Sequence, residues 1–411
     1  MEAIELGKRL RDARELCGIN QDNAAAAIGA PRTAISLIES GQRSVSTLEL
    51  SKLAGLYGRS PVAFFEETSQ YETVRLLLRR TVDNHMGASE KEGIMTSLDL
   101  WEEGARLEAI LGNSTRPAVP TYSFGVPRSK GEAVRQGEAT AEDERRRLGI
   151  GFGTIADVAD IIANQSIWTS ASDLPNETSG LFVAHRDVGL AILVNARHAR
   201  GRRRFSYAHE YAHALLDRER SIDLSRAQNR DDPIEVRANA FAASFLMPKG
   251  GISAILRQID KGGPSRLQGE LFSSASDDAV PVEVRPVPGT QRLTYQDAAY
   301  IAHHFGVSYP AAVFRLQNLS HITQKEAASL LAQSNTGNSY LHTLGLLDDI
   351  NGEDGQNANR RELKLQLTRL AIEAYRREEI SRGRVMEIAR KLDLSGDTLL
   401  RLAEAARVPQ G

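Results

Sequence analysis

Apolar positions recur every three or four residues through most of this 411-residue chain, in short runs separated by turn signals. That spacing predicts a mainly helical protein. In the first 66 residues, Leu6, Leu10, Ala13 and Cys17 share one side of a first helix, where Cys17 reads as a small buried hydrophobe. Gln21 opens "QDNAAAAI", Gly29 ends it, and Pro31 starts "PRTAISLIESG", the residue types expected at such junctions. The latter helix turns Ile35 and Ile38 inward and presents Arg32, Thr33 and Ser36 outward. Residues 71–111 continue as helix with a break near "HMGAS". "NSTRPAVPTYSFGVPRSKG" follows as a linker rich in proline, serine and glycine, which marks a domain boundary.

Two helical segments come next, "EAVRQGEATAEDERRRLG" and "TIADVADIIANQ", then two strand-like runs, "GLFVAH" and "GLAILVN". The runs are joined by "RDV", a length suited to a hairpin. Two more helices, around "FSYAHEYAHALL" and "PIEVRANAFAASFLMP", complete an α+β middle. Residues 262–292 read as a loop-rich insertion with one strand in "VPVEVRPV". The chain is helical again from Leu293 to about Ser334, carries a polar mobile segment near 349–361, and closes on a further helical module. The expected division is 1–66, then a helical connector and linker at 67–128, a central domain at 129–325, and a C-terminal helical module at 326–411.

Lys and Arg number 51 against 53 Asp and Glu, so overall charge draws the molecule to neither nucleic acid nor membrane, although a small DNA-binding module fits within a neutral chain. One cysteine excludes a disulfide framework and a multi-cysteine zinc cluster. The polar N-terminus "MEAIELGKRLRDARE" lacks a signal-peptide core, and no apolar run is long enough to span a bilayer. The expectation is a cytoplasmic protein without membrane contact.

The stretch "RRRFSYAHEYAHALLDRE" changes the picture. Residues four apart stack on one helix face, so His209 and His213 can aim two imidazoles at one ion, and imidazole suits zinc. Glu210, between them, is placed to act as a base, the logic of the H-E-x-x-H zinc peptidase helix. The metal acidifies water and polarises a scissile carbonyl while the glutamate takes and returns the proton. A catalytic zinc needs a third protein ligand. Glu235 lies 22 residues past His213 and returns to the metal if the two helices form an antiparallel pair. Asp231 and Asp232, in the loop before Pro233, are rivals. Asp217, one turn beyond His213, is a candidate to fix a ligand's tautomer from outside.

"RRRFSYAHEYAHALLDRE" followed by "EVRANAFAASFLMPKGGI" resembles the core of the ImmA/IrrE family of zinc metallopeptidases. "GLAILVNARHARGRRRF" before it and "DAAYIAHHFGVSYPAAVFRLQNL" after it extend the likeness over about residues 130–325. The resemblance implies an α+β zincin-like metallopeptidase domain, with His209, His213 and Glu235 as zinc ligands and Glu210 as general base. It also implies a role: cleaving a helix-turn-helix repressor in stress, mobile-element or phage-defence regulation. A substrate segment is expected to add to the edge of the "GLAILVN" strand. The insertion at 262–292 departs from the family's compact pattern.

Residues 4–65 resemble the XRE/Cro-type helix-turn-helix, an all-α DNA-binding domain, with "VS" at Val45 and Ser46 as a departure from its pattern. The candidate DNA contacts are Arg32, Thr33 and Ser36 at base edges, with Gln21, Gln42 and Arg43 on the backbone. Such domains read paired half-sites, so a homodimer is expected. The basic run from Arg197 to Arg204 is either a solvated loop or a seat for a nucleic-acid activator. The alternative overall function is a DNA-binding regulator or antitoxin-like protein whose peptidase fold senses a ligand or partner.

Overall fold

The computed structural model describes residues 3–16, 19–57, 61–65, 74–75, 86–112, 119–185, 188–218, 222–226, 231–261, 267–272, 279–284, 291–346 and 356–406. Cys17, most of 71–85, and 349–355 of the expected mobile segment lie outside the described residues; 356–361 are helical. The chain falls into two compact units, Met1–Ala105 with His185–Val188, and Arg106–Ala184 with Gly189–Gly411.

The first unit begins with α1 (Ala3–Leu16), α2 (Gln21–Ile28), α3 (Arg32–Glu39) and α4 (Thr47–Leu56). Each boundary has a local cause. The Asn20 side chain accepts from the Asn23 N–H at the start of α2, and Gly29 ends it at φ 72. Ser46 and Glu49 cap α4 reciprocally, satisfying N–H groups that the first turn leaves orphaned. Leu10, Ala24, Ile35, Ile38, Leu53 and Phe64 form the core. α1 reaches α3 closely because Gly7 has no side chain: a Cβ there meets the Ile38 carbonyl oxygen at 2.3 Å. α5 (Ala88–Ile110) follows.

The second unit holds α6 (Lys130–Arg147), α7 (Val158–Ala163), β1 (Ile167–Ser172), β2 (Thr178–His185), β3 (Gly189–Asn195), α8 (Arg200–Leu216), β4 (Ile222–Arg226), α9 (Pro233–Leu246) and α10 (Lys249–Gln258). The strands form one sheet in the order β1-β3-β2-β4, with β1 parallel to β3 from Ile167 opposite Leu190. The sequence pattern missed β1, "IWTSAS", whose serines and threonine hide a fully buried strand. The order corrects one expectation: "GLAILVN" is β3, an interior strand flanked by β1 and β2, so it offers no edge for strand addition.

α8 and α9 pack on each other, and α9 on α6. The last contact is close because Gly137 faces α9, where a Cβ would lie 2.4 Å from the Arg237 carbonyl oxygen. Phe182, Ile192, Tyr211, Phe241 and Phe245 fill the space between sheet and helices. The described residues of the insertion hold two strands where the sequence predicts one. β5 (Leu267–Phe272) and β6 (Ala279–Val284) pair antiparallel, since a lone strand leaves its backbone groups unpaired. Then come α11 (Tyr295–Phe305), α12 (Tyr309–Asn318), α13 (Gln324–Ala332) and α14 (Ser334–Thr343). The closing module is α15 (Gln356–Arg376), α16 (Arg382–Lys391) and α17 (Gly396–Ala405). These three pack together, and α15 also lies against β1. No described helix is long and apolar enough to cross a membrane.

Candidate metal centre

The basic run is a loop only as far as Ala199. Arg200 opens α8, whose first turn has no acid and no side-chain cap, an arrangement that sets positive charge at the positive end of the helix dipole. Two of its arginines turn inward onto backbone: Arg203 donates to the Ala196 carbonyl at 3.2 Å, and Arg204 to the Ala156 carbonyl at 2.7 Å and to that of Ile155.

Two turns further on, α8 carries His209 and His213 into the interior, 5% and 0% exposed. Their Nε2 atoms lie 3.3 Å apart. From α9, Glu235 brings Oε2 to 3.2 Å from His209 Nε2 and Oε1 to 3.7 Å from His213 Nε2. One donor atom from each of the three lies within 4.8 Å of the others, so the set is able to hold a metal ion. The rivals are spent elsewhere. Asp232 caps α9, accepting from the Ile234 N–H at 3.0 Å, and Asp231 is an exposed partner of Lys130.

The outer nitrogen of each ring is also engaged. His213 Nδ1 lies 3.0 Å from Asp217 Oδ2, and His209 Nδ1 lies 3.0 Å from Asn239 Oδ1. Both partners are acceptors, so each ring in its neutral, ligating form keeps its proton on Nδ1 and turns the Nε2 lone pair to the shared centre. Asn239 was not read from the sequence, although its signal was there: it follows Glu235 by four residues and shares that helix face. Burial alone opposes a charged His213, but the Asp217 hydrogen bond and the carboxylates of Glu210 and Glu235 hold it up at about 9.

Glu210 is fully buried, and neither carboxylate oxygen makes a well-formed hydrogen bond; the Ser225 hydroxyl on β4 stands close enough to favour the charged carboxylate. Burial, partly offset by the charges of His209 and His213, pushes Glu210 up to about 7. A buried carboxylate without such a bond is costly and is informative where it persists, because strongly shifted groups in a cleft mark functional sites. Its room comes from β2. Pairing with β4 shifts register between Thr178 and Gly180, and a Cβ on Gly180 would stand 2.6 Å from Glu210 Oε1. Gly180→Ala is therefore expected to displace Glu210 and lower any activity that depends on it by about tenfold or more, while metal content stays near the parent's. Unchanged activity with the alanine in place would show that Glu210 needs no such clearance.

In the first unit, Arg32, Thr33, Ser36 and Gln42 are exposed. Gln21 instead donates to Glu39 at 2.9 Å, and Arg43 pairs with Glu49 at 2.7 Å. Both residues are tied into the domain, which leaves α3 as its outward polar face.

Two inward-facing histidines one turn apart and a glutamate from a paired helix form a donor set able to hold a metal ion, with the buried Glu210 carboxylate beside it. Comparison with known families agrees: residues 163–263 match the IrrE N-terminal-like domain, a Peptidase_M78 model, and residues 10–64 match a helix-turn-helix model. The chain thus carries a helix-turn-helix match near its N-terminus and an IrrE N-terminal-like match around the candidate metal centre. No curated protein matches it. The solved structure of Bacillus thuringiensis PlcR in complex with the peptide PapR7 and DNA aligns at 13% identity over 99% of this chain and 100% of its own. Its TM-score of 0.15 is too low to carry an argument.

Proposed function

We propose that this chain is a zinc-dependent endopeptidase that cleaves a helix-turn-helix repressor and itself binds DNA through residues 1–66. The observation that carries the reading is the convergence of His209, His213 and Glu235 beside a Glu210 that is buried without a well-formed hydrogen bond. The residues fit the ion: two imidazoles with their outer nitrogens fixed, one carboxylate, and the desolvated base that a purely structural site does not need. When bound, zinc supplies Lewis acidity towards a peptide carbonyl and water. Glu210 accepts the proton of the attacking water and returns it to the leaving amine. Asp217 and Asn239 hold the two rings in the tautomer that ligates.

The substrate segment adds to β4 rather than β3. Among the described strands β4 ends the sheet; it carries Ser225 beside Glu210 and is the end opposite the one against which α15 lies. Arg32, Thr33, Ser36 and Gln42 contact DNA, with Gln21 and Arg43 bracing the reading helix against the backbone, and two copies read paired half-sites. The basic start of α8 is the seat for a nucleic-acid activator. The domain limits are those of the sequence, with the peptidase at 129–325.

Loading the site is expected to release protons, because His213 and Glu210 are both held above their ordinary values in the empty site and an ion favours their deprotonated forms. Apparent zinc affinity accordingly rises with pH up to about 9. Calorimetry in buffers of different ionisation enthalpy counts these protons, and a count near zero contradicts the site's assigned charge state.

The experiment that tests the function compares new protein N-termini in cells making the parent and Glu210→Gln. A new terminus inside a helix-turn-helix repressor is expected with the parent alone. Regulation that persists unchanged in the variant, with no such terminus in either, favours a DNA-binding regulator whose peptidase fold serves as a sensor.

A further inference from the structure

Arg237 is 2% exposed, an unusual place for a guanidinium, and its contacts lead to the metal centre. Nη2 donates to Asp217 Oδ1, while Asp217 Oδ2 faces His213 Nδ1 at 3.0 Å. Nη1 donates to Gln136 Oε1 at 3.0 Å on α6 and reaches the Gly125 carbonyl at 3.5 Å. Gln136 in turn donates to the same Gly125 carbonyl at 3.3 Å. The guanidinium therefore sits where α9, α6, the end of α8 and the 119–128 segment meet.

Asp217 needs such an anchor. It is the first residue beyond α8, with φ −130 and ψ 29, so the helical repeat no longer sets its direction; its N–H still reaches the His213 carbonyl. A carboxylate held only by one imidazole is free to rotate about its last torsion, which for Asp is a broad well. Arg237 removes that freedom by occupying Oδ1, and the planar fork lets one side chain hold Asp217 and Gln136 together.

We propose that Arg237 is a positioning residue: through Asp217 it fixes the His213 ring so that Nε2 points at the point shared with His209 and Glu235. The proposal rests on the metal-centre reading above and adds a third link to it, His213–Asp217–Arg237. Arg237 does not touch the ion or the substrate. Its own helix also supplies Glu235 and Asn239, so α9 contributes one donor and supports both histidines of α8.

Zinc affinity of the full chain, measured by competition with a chromophoric chelator, tests this. The series is the parent, Arg237→Met, Asp217→Asn and the double variant, with the cobalt(II) absorption of each as a second readout. Outer partners of metal ligands typically account for 10–100-fold in metal affinity. Arg237→Met is expected to weaken zinc by about that factor and to alter the cobalt spectrum. If Arg237 acts through Asp217, the double variant binds no more weakly than Asp217→Asn alone, since residues in one chain of contacts are not additive. Arg237→Lys keeps the buried charge, and so reads the same question if Arg237→Met fails to fold; its ammonium lacks the rigid planar fork that spans Asp217 and Gln136, and a loss of several-fold is expected. Arg237→Met or Arg237→Lys binding zinc as the parent does, with the parent's cobalt spectrum, overturns the proposal, as does a double variant whose loss is the product of the two singles. A parent that binds no zinc overturns the metal-centre reading itself, a separate outcome.

Discussion

Glu210→Gln is expected to lower peptide-bond cleavage by about 10²–10⁴-fold, the range that a positioned acid–base group contributes. The amide has nearly the shape of the carboxylate, so it fits the space above Gly180. The variant still binds zinc and DNA, because Glu210 is neither among the three converging donors nor in the helix-turn-helix domain. The substitution also removes a buried carboxylate that makes no well-formed hydrogen bond, and replacing a buried ionisable group with a neutral one of the same shape relieves desolvation. The variant is therefore expected to be at least as heat-stable as the parent when both are metal-free. A variant that cleaves at the parent's rate would assign the base elsewhere.

Removing metal has the second large effect. Empty, the centre leaves Glu210 and Glu235 close to His209 and His213 with no ion between them, all in a region 5% exposed or less. An ion that binds only the folded state, supplied at roughly a thousand times its dissociation constant, adds about 4 kcal/mol. At about 2–4 °C per kcal/mol for domains of 150–250 residues, the melting temperature rises by on the order of 10 °C. Chelator is expected to abolish that rise in the parent. In Glu235→Ala the difference between zinc and chelator should shrink to a few degrees at most. Equal melting temperatures in the parent with and without chelator would mean that the cluster is ordered by protein contacts alone.

The parts of this site that are local in sequence were legible there. His209 and His213 are set by the pitch of one helix, and Glu210 by adjacency. Glu235 followed from the expectation that two helices pair back on each other, which they do, although β4, unread in the sequence, lies between them. Asp232, directly before Pro233, already carried the signature of a helix cap, and the structure uses it as one. What stayed hidden depends on chain segments far apart. Gly180 gives no sign in "TSGLFVAH" that a carboxylate will press on it. Arg237 looks like a solvated charge in "EVRANAF" until α6 and the 119–128 segment bury it. The sheet order was equally unreadable: "GLFVAH" and "GLAILVN" are recognisable as neighbours, but that β1 would close over β3 on its other side depends on a parallel pairing across the intervening β2. The basic run misled for a related reason. Its charges suggested exposure, whereas the backbone carbonyls of Ile155, Ala156 and Ala196 take up two of its arginines.

The measurement that bears most directly on the central claim is metal content per chain, by elemental mass spectrometry, on protein purified without added metal and beside Glu235→Ala. About one zinc per parent chain is expected, as for a three-ligand catalytic site, and much less in the variant. No metal in the parent even after zinc is offered, or equal zinc in both proteins, would contradict that claim.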